Sequence, residues 1–254
     1  MYLAELTWPD VDRMTRDTPI VLPIAAHEQH GHHLPLHTDS MLLGEIVSRV
    51  EAKLKDQILV SPLQWLGNSH HHMDFPGTIS ADPPFYLDLL INQIECFLAH
   101  GFRRIILING HGGNIVPSSQ VVFTLRQKHR DRSDLLLLAS TYWENGHLDG
   151  DSLELDQRTM GHACEWETSM MLALRPELVK DYRQLEPIPE GEAFPTASRG
   201  WTMKDRTKIG HIGSPASASP EKGHHLFNAF SQGVVSFLEE VIQWDGRSWD
   251  QRRA

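Results

Sequence analysis

Four short apolar runs, separated by stretches of helical spacing, constrain what this chain can fold into more than any other feature. They read IVLPIA (20–25), ILVSPL (58–63), RIILIN (104–109) and LLLLAS (135–140). Each is continuously apolar rather than alternating, the pattern of a strand covered on both faces. Between them Leu42, Leu43, Ile46, Val47, Val50 and Leu54 recur at intervals of three and four, as do Leu87, Leu90, Ile91, Ile94, Phe97 and Leu98. Gly101 stands where a helix C-cap glycine belongs. A third helix is expected over about 116–130, with Pro117 in its first turn, and a fourth over 165–175. Ser219-Pro220 open a last one carrying Leu226, Phe230, Val234, Phe237, Leu238 and Val241. Strand and helix alternate, so the expectation is an α/β fold with a mainly parallel sheet between helices.

Residues 176–220 are rich in Pro, Gly and Ser and are expected to run as long irregular excursions. No repeat or linker interrupts the chain, so residues 1–254 read as one domain, with DGRSWDQRRA a frayed tail. A formal charge of −10 speaks against a nucleic-acid partner, which needs a basic face. Nothing approaches the roughly eighteen apolar residues of a membrane span. The N-terminal MYLAELTWPDVDRM lacks the basic-then-apolar order of a signal peptide. Cys96 and Cys164 are too few and too far apart for a disulfide framework, and a cytoplasmic location is expected.

Open parallel sheets bind ligands outside the carboxyl ends of their strands. The first run leads into HEQHGHHLPLHTD, thirteen residues with five histidines, Glu28 and Asp39. The second leads into GNSHHHMDFPGT, the third into NGHGGN and the fourth into TYWENG. Histidines scattered over surface loops would not be expected to favour one end of a sheet each time, so a metal site is favoured over a solvated polar network. Glu28 and His30, two apart, point the same way from extended backbone. Asp39, at a helix start, offers two oxygens, enough to bridge two ions. His111 sits among three glycines that permit a tight turn. In GHACEWETS, His162 and Glu165 are three apart and share a face if that segment is helical. Imidazole and carboxylate without thiolate clusters suit zinc, manganese or iron.

LPIAAHEQHGHHLPLHTD, FPGTIS, INGHGGN and HACEWETSMMLAL, in this order, resemble the creatininase (creatinine amidohydrolase) family, from about residue 20 to GSPASASPEKG before the last helix. The resemblance implies a three-layer α/β/α fold, two divalent metal ions per chain and a homohexamer. It also implies hydrolysis of non-peptide C–N bonds in a small-molecule substrate, a cyclic amide or a formamide, by a metal-bridging hydroxide. By motif, Glu28, Asp39 and His111 would hold one ion, and His30, Asp39 and a glutamate the other. Creatininase itself resembles NGHxEN in the third motif, with a Glu ligand where this chain has Gly113. The missing carboxylate is expected from Glu165, with Glu167 as its rival. His162 matches the family's catalytic histidine and would protonate the leaving nitrogen. Trp143 would wall the pocket, shaped by His72, Gly112 and Gly113. A family tryptophan is replaced by Arg158, which turns the expectation from creatinine towards a substrate carrying a carboxylate or phosphate.

His27, His32 and His37 are expected outside the ligand set, His33 carries no clear ligand role, and His70 and His71 read as loop residues. Cys164 reads as a packed residue rather than a nucleophile. NGHGG lacks the Lys-Ser/Thr of a phosphate-binding loop. Two rival functions stand beside the amidohydrolase: a peptidase trimming a small precursor peptide, and a non-catalytic metal-binding protein holding many loose ions.

Overall fold

The structure, a computed structural model, describes residues 1–148, 154–191, 194 and 196–247. Four parallel strands, β1 (Ile20–Ile24), β2 (Leu59–Val60), β3 (Arg104–Asn109) and β4 (Leu136–Thr141), form one sheet in the order β2-β1-β3-β4. β1 pairs with β3 from Ile20↔Ile105 to Ile24↔Asn109, and β3 with β4 from Arg104↔Leu136 to Asn109↔Thr141. Their carboxyl ends are therefore level, so the segments that leave them emerge along a single edge.

The helices are α1 (Trp8–Asp12), α2 (Thr38–Leu54), α3 (Pro83–Ala99), α4 (Ile115–Lys128), α5 (Glu165–Leu174), α6 (Met203–Arg206) and α7 (Pro220–Gln243). Alternate side chains of the sheet feed two cores. Ile20, Leu22, Ile24, Ile105 and Leu107 pack with Tyr86, Leu90 and Ile94 of α3 and with Val121 and Leu125 of α4. Val21, Ile106 and Ile108 pack with apolar residues of α2, α5 and α7, among them Ile46, Met170 and Phe230. Two helical layers thus cover one sheet, the three-layer α/β/α arrangement anticipated above. Continuous apolar strands follow directly, because neither face of β1 or β3 meets water.

The expected helices form close to their anticipated bounds. Gly101 closes α3 in the left-handed region (φ 89°), with Phe102 N–H donating to Phe97 O and Gly101 N–H to Leu98 O. That is the double bond of a Schellman cap. Ser219 caps α7 by accepting from Lys222 N–H. The second apolar run is the exception, pairing only at Leu59 and Val60. Odd-numbered β1 residues face β2, since Val21 O accepts from Ser61 N–H and Pro23 O from Gln64 N–H. Pro23 has no N–H to offer Ser61 O, so the regular ladder breaks there and resumes only at an Ile24–Gln64 bridge, while pairing with β3 is untouched. Residues 176–220 run irregularly as expected, apart from α6 and the single turns Pro176–Leu178 and Pro215–Ser217. Most of the C-terminal DGRSWDQRRA stretch lies outside the described residues.

Candidate metal centre

The loop after β1, the start of α2 and the loop after β3 converge on one buried cluster. Glu28, His30, Asp39 and His111 are all at most 4% exposed. Asp39 lies in the first turn of α2, where the helix N-terminus favours a carboxylate. Its two oxygens divide their attention: Oδ1 is 3.0 Å from His30 Nε2, and Oδ2 is 3.0 Å from His111 Nδ1. Glu28 Oε1 lies 3.3 Å from the same His111 nitrogen.

Both histidines are oriented from behind by backbone. His30 Nδ1–H donates to Glu28 O (3.0 Å), and His111 Nε2–H donates to Asn68 O (3.1 Å). The inward nitrogens, His30 Nε2 and His111 Nδ1, are thereby the ones turned to the cluster, where each would give a lone pair to a cation once its proton has left. Burial alone would lower the His111 pKa, but the Glu28 and Asp39 charges outweigh it and hold it at about 10; His30 is raised likewise. Burial works against the Asp39 carboxylate, yet His30 and His111 keep its pKa well below the usual range.

Of the two glutamates expected to compete for the remaining position, Glu167 rather than Glu165 faces the cluster. Glu165 is fully buried but turned away: its Oε1 is 2.5 Å from Lys222 Nζ on α7, and its Oε2 accepts from Gln157 N–H (2.9 Å). Glu167 points into the cluster instead, with Oε1 3.6 Å from His30 Nε2 and Oε2 accepting from Ala163 N–H at 2.5 Å. The helical spacing that linked His162 to Glu165 does not exist. α5 begins only at Glu165, and His162 precedes it in a bridge to Ile212, with Ala163 in the left-handed region (φ 46°).

The donors fit a divalent cation. Glu28 Oε1 and Oε2 and Asp39 Oδ2 are buried without a hydrogen bond among the described residues. Orphaned carboxylate oxygens are costly unless something positive meets them. Glu28, His30 and Asp39 offer ligand atoms within 4.8 Å of one another, and so do His30, His162 and Glu167. The all-N/O set matches zinc, manganese or iron.

The cluster floors a cavity of about 550 Å³, with His72, Trp143, Gly112 and Gly113 in its lining, as anticipated. A Cβ at Gly113 would lie 2.3 Å from Asn68 O and 2.5 Å from His111 Nε2, so no side chain, and no carboxylate, can stand there. Arg158, expected to meet substrate, is exposed and does not line this cavity. The cations that do are Arg199 and Arg206, from the irregular 176–220 stretch, where no periodicity signals placement. His71, read as a loop residue, also lines it, stacked on His111 at 5.8 Å.

His162 Nε2–H donates to Gln29 O (2.8 Å), leaving Nδ1 facing Glu28 Oε1 at 3.5 Å. Burial and the neighbouring His30 hold this ring uncharged, its pKa well below the ordinary value. Gln29, which the sequence did not single out, donates from Nε2 to Gly210 O and to His72 Nδ1. It ties three segments of the site together. His33 is buried against Thr168 Oγ1, and burial pushes the Cys164 thiol up to about 12, consistent with a packed residue. His27 and His37 pair with each other, Nδ1 to Nδ1 at 3.1 Å, apart from the cluster.

The sequence profile of one family, described as Creatininase: Creatinine amidohydrolase, matches residues 4–238. A creatinine amidohydrolase of Pseudomonas putida is 28% identical, covering 94% of this chain and 96% of its own. A mycofactocin precursor peptide peptidase of Mycobacterium ulcerans (strain Agy99) is 29% identical, covering 94% and 86%. Among solved structures, a creatininase mutant of Zn–Zn type superposes with TM-score 0.81 at 28% identity, over 96% of this chain and 98% of that one.

Proposed function

The chain belongs to the creatininase family, and from that premise we propose that it is a binuclear amidohydrolase cleaving a non-peptide C–N bond in a cyclic amide or formamide. The observation that carries the two-ion reading is the division of Asp39. One oxygen serves the His30 side and the other the His111 side of a pocket in which both Glu28 oxygens are buried without a hydrogen bond among the described residues. Glu28, Asp39 and His111 would hold one ion, and His30, Asp39 and Glu167 the other. When bound, such a pair supplies Lewis acidity and a water acidified towards neutrality.

The chain's own residues supply the rest. His162, pinned through Nε2–H to Gln29 O, presents an unprotonated Nδ1 to the cavity. That atom can take a proton and return it to the leaving nitrogen. Trp143 and the side-chain-free surface of Gly112 and Gly113 leave room for the substrate above the donors.

A peptidase is the second reading. The 550 Å³ cavity is ample for more than one small heterocycle, and a relative named as a peptide peptidase matches at the same level as the creatinine amidohydrolase. We further expect a homo-oligomer, because β4 is an edge strand with half-buried Leu136, Leu137 and Leu138. No helix among the described residues is long and apolar enough to cross a membrane.

Metal counting on purified protein, joined to a screen of creatinine, cyclic imides, formamides and short peptides, tests the proposal. About two tightly held ions per chain with turnover of a formamide or cyclic amide supports it. Many loosely held ions and no turnover would replace it with a metal-binding role.

A further inference from the structure

The rim of the metal-centre cavity is cationic in a chain that is anionic overall. The formal charge is −10, yet Arg199 and Arg206 both line the cavity, opposed on the rim, among the described residues, by the carboxylate of Glu190. Arg206 is held in place before any substrate arrives. Its guanidinium lies 4.8 Å from the Trp201 ring, and Nη2 donates to Glu190 O (2.6 Å). The four-residue α6 that carries it is anchored by buried Met203 and capped by Asp205 on Thr202 N–H. One of its five N–H groups is committed, so the outer edge of the guanidinium can still bind. Arg199 is exposed and makes no hydrogen bond or ion pair among the described residues. Lys204, the neighbouring cation, faces Asp74 at 3.7 Å and is not part of the lining.

Rings connect this rim to the floor. Trp201 meets His71 edge-on at 4.9 Å, and His71 stacks on His111 at 5.8 Å. With the 4.8 Å from Arg206 to Trp201, these steps laid end to end bound the guanidinium's distance from the donor His111. The limit is about four to five extended residues of chain, and any bend shortens it. A substrate anchored at the donors can therefore reach Arg206 with its other end, and Arg199 lines the same cavity.

We propose that the substrate carries a terminal oxyanion, a carboxylate or phosphate, held by Arg199 and Arg206 while the scissile amide sits over the metal donors. Planar guanidinium forks pair with such groups through two parallel N–H···O bonds, and they lose less freedom doing so than lysine would. This inference rests on the amidohydrolase reading above. It moves the cation anticipated at Arg158 to a different segment and gives it a defined partner. It also separates this site from one shaped for neutral creatinine.

The test uses three hydroxamate probes with the same methylene spacer, ending in a carboxylate, a phosphonate or a neutral N-methylamide. Calorimetry measures their binding to the zinc-loaded full-length protein. An anionic probe is expected to bind at least tenfold more tightly than the neutral one, and whichever anion leads identifies the head group. Arg199→Gln/Arg206→Gln should bring anionic and neutral probes within about twofold of each other. The single exposed-residue variant Arg199→Gln, checked for an unchanged melting temperature, should give an intermediate preference. Equal binding of all three probes to the parent protein would overturn the inference, as would a preference surviving in the double variant. If the protein retains no zinc and binds no hydroxamate, the amidohydrolase reading itself fails and takes this inference with it, a result distinct from loss of charge preference alone.

Discussion

Lys222→Met isolates the ion pair that separates the two neighbouring glutamates. Glu165 is 0% exposed and its carboxylate meets Lys222 Nζ at 2.5 Å and Gln157 N–H at 2.9 Å. Methionine keeps the length of the lysine stem but removes the charge, leaving a buried carboxylate with one backbone donor. Breaking a buried pair from one side costs about 3–5 kcal/mol, because the remaining charge is uncompensated. At roughly 2–4 °C per kcal/mol for a chain of this size, the melting temperature should fall by about 6–20 °C. Calorimetric unfolding at fixed zinc concentration measures it, since bound metal shifts stability by mass action. Glu165→Gln/Lys222→Met removes both charges and should recover most of the loss. Metal content should be unchanged in Glu165→Gln and reduced in Glu167→Gln. A loss below about 1 kcal/mol in Lys222→Met would show that the carboxylate is not held as a buried charge. Zinc lost from Glu165→Gln but kept by Glu167→Gln would return Glu165 to the ligand set.

Gly113→Ala should cost about 1–3 kcal/mol and weaken zinc binding, because its Cβ falls 2.5 Å from His111 Nε2; metal titration with a competing chelator reads the affinity. His162→Ala should keep its metal and lose roughly 10²–10⁴ in turnover on whichever amide the screen identifies, whereas Asp39→Ala should lose metal and turnover together. In metal-free protein the His111 pKa is raised from 6.5 to about 10, so the stability this contributes is fully present below pH 6.5 and lost as pH rises through about 10. His30 acts in the same direction, so zinc uptake at pH 7 should expel about two protons per chain, measurable by calorimetry in buffers of differing ionisation enthalpy.

Much of this molecule was legible from order and spacing. The strand β3 falls on RIILIN residue for residue, and the loops carrying Glu28, His30, Asp39 and His111 meet where strand ends predicted. Those inferences hold because burial imposes a period on each element, and because a parallel sheet sends every strand's successor to the same edge. Periodicity says nothing about pairing between segments. Whether Glu165 or Glu167 faces the cluster depends on where α5 starts and on Lys222, 57 residues further along. Arg158 and Arg199 look equivalent in a string of letters, yet only Arg199 faces the cavity, carried there by an irregular stretch with no repeat to betray its course. Local hydrophobic pattern determined the scaffold and the sheet edge at which Glu28, His30, Asp39 and His111 gather. Long-range packing of charges, which minimises buried unpaired groups over the whole fold, decided that Glu167 faces the cluster while Glu165 pairs with Lys222, and the tertiary course of residues 176–220 brought Arg199 and Arg206 to the cavity.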